Sequence, residues 1–102
     1  MLQAVASPRR RAILGLIWDR ELTAGEIARQ FPVSWSAVSQ NLGVLRRAGV
    51  LCERREGTHR LYRANRAALG PLAEVLRAMW ATDLERLAAL AEAEEHRKLG
   101  AQ

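Results

Sequence analysis

The side chains with the clearest chemical potential follow one another in a single polar stretch, SWSAVSQN. Hydroxyls and side-chain amides are neutral groups that bind phosphates and base edges in nucleic acids. An amide donates and accepts at once, so Gln40 and Asn41 can each pair with both polar atoms that adenine shows in the major groove. Ser36 and Ser39 are better suited to phosphate. Trp35 can stack on a sugar or a thymine methyl group, or pack against the protein.

These side chains fall on the second of two short predicted helices. Thr23 and Glu26 have the spacing of a capping box, which begins a helix. Pro32 ends that helix, because proline disfavours helical geometry in the residue before it. Ser34 or Ser36 can cap the next helix. Its inward side is predicted to carry Val38, Leu42 and Leu45, at helical spacing. Two helices joined by a tight turn form the helix-turn-helix arrangement, whose second helix enters the DNA major groove. The contacts expected from this helix are Ser34, Trp35, Ser36, Ser39, Gln40 and Asn41.

After Gly49 the pattern changes to that of a β-hairpin. Residues 50–54 and 59–63 read as strands, with Leu61 inward, and residues 55–58 form a turn that contains a glycine. A basic hairpin directly after a recognition helix is a wing, which can lie along the DNA backbone or reach into the adjacent minor groove. The wing residues predicted to contact DNA are Arg54, Arg55, Thr58, His59 and Arg60.

Charge divides the chain into two regions. Residues 1–66 contain twelve Arg and five acidic residues, a net charge of +7, whereas residues 67–102 carry a net charge of −2. This asymmetry predicts a DNA-binding region at 1–66 and a C-terminal element of another kind at 67–102. Residues 9–11, three consecutive arginines, either form a solvated face that pairs with the acidic C-terminal region or contact phosphate.

The C-terminal region reads as one long helix from Pro71 with a continuous apolar stripe. Such a stripe is most simply buried against a second copy of the chain, and packing within the chain is the alternative. The predicted dimer contacts are Leu2, Leu72, Leu76, Met79, Trp80, Leu84, Leu87 and Leu90. The expected fold class is therefore mainly α with a small β-hairpin wing, a winged helix-turn-helix that dimerises through its terminal helices.

No pattern of a catalytic or metal site is present in the sequence. Cys52 is the single cysteine, expected to be a small buried strand residue, with a disulfide to a second copy as the less favoured alternative. His96 alone does not make a zinc site and is expected at the surface, while His59 belongs to the wing. We therefore expect no enzymatic activity, no cofactor and no metal. The sequence has no signal peptide or apolar run long enough to span a membrane, which favours a cytoplasmic protein without membrane contact.

Taken together, the stretches SPRRRAIL, ELTAGEIARQF, VSWSAVSQNLGVLRRAGVL and ERREGTHRLYR resemble the arsenic-repressor-like (ArsR) family of bacterial winged helix-turn-helix regulators. The likeness runs from Ala4 to about Arg63. It implies a homodimer whose two recognition helices meet successive major grooves of a palindromic operator. The family more often has His where this chain has Asn41, which leaves the base preference open. Metal-sensing members carry a Cys-x-Cys motif in the helix before the turn, and this chain has ELTAGEI there.

The predicted function is that of a sequence-specific transcriptional regulator, a repressor that occupies a palindromic operator as a homodimer. Repression is inferred because a small domain without an activation segment can block polymerase by covering a promoter. The alternative, from another class, is a protein-interaction module whose long C-terminal helix binds a heterologous partner. The expected partners are double-stranded DNA and a second copy of the chain. A small-molecule or protein effector is left open.

The missing ligand motif predicts that Zn²⁺ leaves the affinity for the operator unchanged, because a zinc site needs three or four converging ligands. Fluorescence anisotropy of a labelled operator, titrated with and without added Zn²⁺, measures this directly. Release of the DNA on addition of Zn²⁺ would contradict the prediction that the protein has no metal-sensing site.

Overall fold

The computed structural model describes residues 2–82. The chain divides into two compact units, residues 1–70 and 71–102. The first unit contains α1 (Leu2–Ala6), α2 (Pro8–Leu16), β1 (Leu22–Thr23), α3 (Ala24–Ala28), α4 (Trp35–Arg47), β2 (Leu51–Glu56), β3 (His59–Ala64) and α5 (Arg66–Leu69). In the second unit residues 72–82 are helical and form α6.

The three strands form one antiparallel sheet in the order β1-β3-β2. The ladder between β2 and β3 runs from Leu51 opposite Ala64 to Glu56 opposite His59. The sequence predicted a shorter hairpin with a four-residue turn. The observed turn is tighter because Gly57 has a φ of +62°, which suits a two-residue hairpin connection. Residues 55 and 56 therefore pair within the ladder.

The sequence reading missed β1 and misplaced the inward side of β3. Leu22 lies opposite Tyr62, and its side chain is buried. Side chains alternate along a strand, and the hairpin turn fixes which ones face the core. The inward residues of β3 are Tyr62 and Ala64, at 8% and 7% exposure. The prediction that Leu61 faces inward was wrong.

Short polar side chains begin the helices as predicted. Thr23 Oγ1 accepts from the Glu26 amide at 3.2 Å, and the Thr23 amide donates to Glu26 Oε1 at 2.9 Å, which confirms the capping box. Of the two candidate caps for α4, Ser34 takes the position, and its Oγ accepts from the Ala37 amide at 3.1 Å. Gly49, with a φ of +78°, follows α4 in the left-handed conformation expected of a helix stop.

The core of the first unit combines buried side chains of α2, α3, α4 and the three-stranded sheet. The residues predicted to form the inward side of α4 are all buried. The largest fully buried side chains are Ile13, Leu14, Ile17, Ile27, Val38, Leu45, Val50 and Leu69. Because α4 contributes to this core from its middle turns, its orientation about its own axis is set by packing.

Several residues predicted at a dimer interface are exposed apolar side chains. Leu2 is 70% exposed and Met79 is 40% exposed, and Val75, which was not predicted, is 53% exposed. Leu76 is buried at 3%, whereas Leu72 and Trp80 are half-buried. The other predicted contacts, Leu84, Leu87 and Leu90, lie outside the described residues. No helix within residues 2–82 is both long and apolar enough to cross a lipid bilayer.

The capping box predicts a pH-dependent contribution to stability. Hydrogen bonds from the Thr23 backbone and side chain lower the pKa of Glu26 below its ordinary 4.5. The ionised form is therefore favoured in the folded state, so this contribution is present above about pH 4.5 and is lost as the pH falls through the lowered pKa. Glu26→Gln should be less stable than the parent at pH 7, and the difference should shrink as the pH falls below 4.5, as measured by urea unfolding. Glu74→Gln, on exposed α6, controls for the loss of one charge; a difference that persists unchanged at low pH would contradict the assignment.

Candidate nucleic-acid interface

One side of α4 faces the core and the opposite side faces solvent. The inward residues are no more than 3% exposed. Ser36, Gln40 and Arg47 are exposed, at spacings of four and seven residues, and so lie along one line on the helix surface. Gly43 lies on the same line, where the Arg47 guanidinium comes within 3.5 Å of the position that a Cβ would occupy. The absence of a side chain at residue 43 therefore leaves room for Arg47 along the helix.

The six predicted contacts on α4 have different environments. Ser36 and Gln40 lie on the outward line, and Ser39 is exposed on the side that faces the wing. The hydroxyl of Ser34 is used as the helix cap. Asn41 is half-buried, and its Oδ1 accepts a hydrogen bond from Arg10 Nη1 at 3.4 Å. Its oxygen is therefore already engaged, in contrast to the free amide that the sequence suggested.

Trp35 packs against the protein with part of its ring and leaves the rest of the side chain exposed. Its ring lies about 3.6 Å from the position of a Cβ at Gly25, at the start of α3. The side of the ring that does not pack on α3 remains accessible, and the residue as a whole is 57% exposed. Trp35 therefore connects the two helices of the helix-turn-helix and still offers an aromatic surface beside the outward line.

Arg46 and Arg47, at the end of α4, were missed as candidates. Arg47 is seven residues after Gln40, and the buried stripe alone would have placed it on the outward side. Arg46, in contrast, forms an ion pair within the protein, because its Nη1 contacts Glu53 Oε2 at 3.1 Å. Arg60 Nε contacts the other oxygen of the same carboxylate at 3.4 Å. This three-residue network fastens the wing to the end of the recognition helix.

A second ion-pair network holds the opposite face of the wing. Arg54 donates from Nε and Nη2 to the two oxygens of Glu21, at 2.5 and 3.0 Å, and Nη2 also contacts Glu56 at 3.2 Å. The hydrogen bond from Arg54 lowers the pKa of Glu21, and its partner Arg54 has a raised pKa for the same reason. The structure thus gives Arg54 a structural partner, whereas the sequence proposed it as a DNA contact.

The remaining predicted wing residues lie at or near the exposed tip. Arg55 and Arg60 are opposite each other in the ladder, on the face shared with Tyr62, while Thr58 is in the turn. His59 and all of these basic side chains are exposed. Within residues 2–82 Arg55 forms no ion pair. Its charge is therefore available to a phosphate.

A groove of about 490 Å³ runs between the start of α3, the side of α4 and the wing. Gly25 and Trp35 form one wall, and His59 and Arg60 form the other. Ser39 also lines the groove. Hydroxyl, aromatic and cationic groups along one open groove suit a nucleic-acid backbone.

The three arginines that begin α2 have partners that the sequence did not predict. Arg9 lies over the Phe31 ring at 4.9 Å from its centroid. Arg10 donates to the carbonyls of residues 3 and 4, and Arg11 donates to those of residues 5 and 6. A cation is unfavourable at the start of a helix, but the guanidinium groups of Arg10 and Arg11 bind carbonyls at the end of α1, where the dipole attracts positive charge.

The described residues contain no cluster of three or more His, Cys, Asp or Glu side chains that could hold a metal ion. Cys52 is exposed, so the prediction of a buried thiol was wrong. The alternation along β2 explains the error, because Leu51 faces the core and its neighbour must face outward. His96 lies outside the described residues.

The helix-turn-helix, its exposed recognition helix and the basic wing define a winged helix-turn-helix DNA-binding protein. Residues 5–54 match the family model described as a helix-turn-helix domain. The HTH-type transcriptional regulator Rv2034 of Mycobacterium tuberculosis is 40% identical over 92 residues, which cover 90% of this chain and 86% of that protein. The chain belongs to the ArsR-like family of helix-turn-helix transcriptional regulators.

Two further relatives agree with this assignment. The transcriptional repressor SdpR of Bacillus subtilis is 35% identical over 69 residues, 68% of this chain and 77% of the relative. The solved structure of HlyU from Vibrio cholerae, a protein named as a transcriptional activator, is 34% identical with a TM-score of 0.70 and covers 78% of this chain and 87% of its own. The predicted family, the mainly helical fold with a β wing and the DNA-binding regulatory function are thereby confirmed.

The two wing arginines in adjacent positions should differ in their effect on DNA binding. Arg55→Ala should reduce the slope of log affinity against log salt concentration by about 0.9, the value for one lost phosphate contact. Arg54→Ala is the matched control and should reduce the slope less, because its charge is paired with Glu21. Anisotropy titrations at four salt concentrations measure both slopes. A larger reduction of the slope for Arg54→Ala than for Arg55→Ala would indicate that Arg54 contacts the DNA.

Proposed function

We propose that the chain is a homodimeric repressor that binds a palindromic operator, with α4 of each copy in a major groove and the wing along the adjacent backbone. The observation that carries this proposal is the outward line of Ser36, Gln40 and Arg47. It lies opposite the buried stripe of the same helix, so the side chains that can read bases are those that packing leaves exposed. An α-helix fits the major groove, where the pattern of donors and acceptors distinguishes all four base pairs.

Each group on the outward line has a distinct chemical role in this proposal. Gln40, at the centre of the line, can donate to N7 and accept from N6 of one adenine. Arg47 can take guanine or a phosphate through its planar fork. Ser36, in the first turn of α4, is placed for phosphate. Arg55 on the wing adds a phosphate contact, and Arg60 adds a second one beside the contact of its Nε with Glu53. Such contacts carry no sequence information but fix the register of the protein on the duplex.

The proposed dimer rests on the exposed apolar residues. Leu2, Val75 and Met79 are 70%, 53% and 40% exposed, and apolar groups of this size on a small regulator favour burial against a second copy. A two-fold symmetric dimer presents two recognition helices, which explains why its operator would be palindromic. The predicted contacts at residues 84, 87 and 90 remain part of this proposal.

The proposed repression is supported by the name of SdpR as a repressor. A dimer that covers a promoter excludes polymerase without any catalytic step, so the chain would act through binding alone, in the cytoplasm where bacterial DNA lies. HlyU is named as an activator, so the direction of regulation has to be measured. Transcription in vitro from a promoter that contains the operator should fall when the protein is added, and a rise would show that the protein is an activator.

The central base contact is tested by selecting duplexes from a random pool. The parent protein should enrich a palindrome, and Gln40→Ala should lose the preference at one position in each half-site, at a cost of about 1–3 kcal/mol there. Ala37→Ser, a polar change on a half-buried position of the same helix, is the control and should keep the full motif. An intact preference in Gln40→Ala would place base reading elsewhere, as in DNA shape.

The dimer proposal is tested with a charge on α6. Met79→Glu should give a monomer in sedimentation velocity and bind the operator far more weakly, because an unpaired carboxylate would be buried at the interface. Ala81→Glu adds the same charge to an exposed residue about 200° further round the helix and should remain dimeric. A dimeric Met79→Glu protein would exclude this surface from the interface.

A further inference from the structure

One guanidinium joins the N-terminal helix to the recognition helix. Arg10 donates from Nε to the Ala4 carbonyl at 2.6 Å and from Nη2 to the Gln3 carbonyl at 3.0 Å. Its third nitrogen, Nη1, donates to Asn41 Oδ1 at 3.4 Å. A single side chain on α2 therefore binds α1 on one side and α4 on the other.

The geometry of this contact is dictated by α1. Carbonyls at the end of a helix have no partner within the helix, and they lie at the negative end of its dipole. Two such carbonyls hold two nitrogens of Arg10, and the donors of a guanidinium lie in one rigid plane. The direction of the third donor, toward Asn41, is thus determined by the position of α1.

The side-chain orientation of Asn41 is the quantity that this contact restrains. It follows Gln40 directly, and it is half-buried at the edge of the inward stripe. With Oδ1 turned toward Arg10, the NH₂ group is directed away from Arg10. A bidentate pair with adenine requires both ends of an amide. The held amide instead presents a hydrogen-bond donor, which suits an acceptor such as guanine O6 or thymine O4.

We propose that Arg10 is a positioning residue for DNA recognition, which fixes the Asn41 amide as a donor and ties its orientation to α1. The proposal rests on the proposed reading of DNA by α4. It also implies that a displacement of α1 would reorient the side-chain amide of Asn41 without moving the backbone of the recognition helix.

Arg11 is a natural matched control for this proposal. It donates from Nη1 to the carbonyls of Val5 and Ala6, at 2.9 and 2.8 Å, and so holds the same end of α1. Its described hydrogen bonds include none to α4. A role limited to fastening α1 would make Arg10→Gln and Arg11→Gln equivalent, whereas a positioning role separates them.

The first arm of the test uses the free protein. The side-chain amide signals of Asn41 in a ¹H–¹⁵N spectrum are identified by their loss in Asn41→Asp. Arg10→Gln should shift these signals, and Arg11→Gln should leave them in place. Equal shifts in the two variants would overturn the proposal.

The second arm measures discrimination, the ratio of affinities for the selected duplex and a shuffled one. Arg10→Gln and Asn41→Ala should each lower this ratio about tenfold, within the range for one base contact. The double variant should lower the ratio about tenfold rather than a hundredfold, because both changes disrupt the same interaction. Arg11→Gln should stay within about twofold of the parent, although its thermal stability should also fall, because its hydrogen bonds to α1 are lost.

Additive losses in the double variant, or an equal loss of discrimination in Arg11→Gln, would overturn the proposal. A parent protein that shows no discrimination at all would instead refute the proposed function, and the spectra of the free protein would then decide alone whether Arg10 holds Asn41.

Discussion

The burial of one apolar stripe on α4 is the constraint on which the DNA-binding surface depends. Val38, Leu42 and Leu45 are almost completely buried, and each such side chain contributes about 1.5–3 kcal/mol on burial. Exposed ion pairs contribute only about 0–1 kcal/mol each. The core therefore decides how α4 is rotated about its axis, and the charges around it adapt. Once that rotation is set, Gln40 and Arg47 must face outward.

Much of the positive charge serves to hold the parts of this small domain together. Glu21 and Glu53 each engage arginines of the wing, one on each face of the hairpin. The arginines that begin α2 hold α1 and Phe31. Because these pairs connect different helices and strands, they restrain the positions of wing, recognition helix and N-terminal helix relative to one another within the first unit. Net charge draws the protein to DNA, but only some of its arginines are free to touch it.

Local patterns predicted the elements well, and long-range contacts account for the errors. The capping box at Thr23, the stop at Gly49 and the buried stripe of α4 depend on residues within a few positions of each other, so the sequence was sufficient. The partner of Arg54 is 33 residues away, and no local pattern indicates it. The inward side of β3 depends on a register that the two-residue turn sets. The hydrogen bond from Arg10 to Asn41 joins residues 31 positions apart and was not predicted for the same reason. It occupies the side-chain oxygen of Asn41, a candidate base contact.

The most direct test of the central claim is dimethyl sulfate probing of a duplex that the protein has selected. This reagent methylates guanine N7 in the major groove and adenine N3 in the minor groove. With α4 in the major groove of each half-site, guanine N7 should be protected in two blocks about one helical turn apart, while adenine N3 within those blocks stays reactive. Protection of adenine N3 alone within those blocks, or a single protected block, would contradict the account.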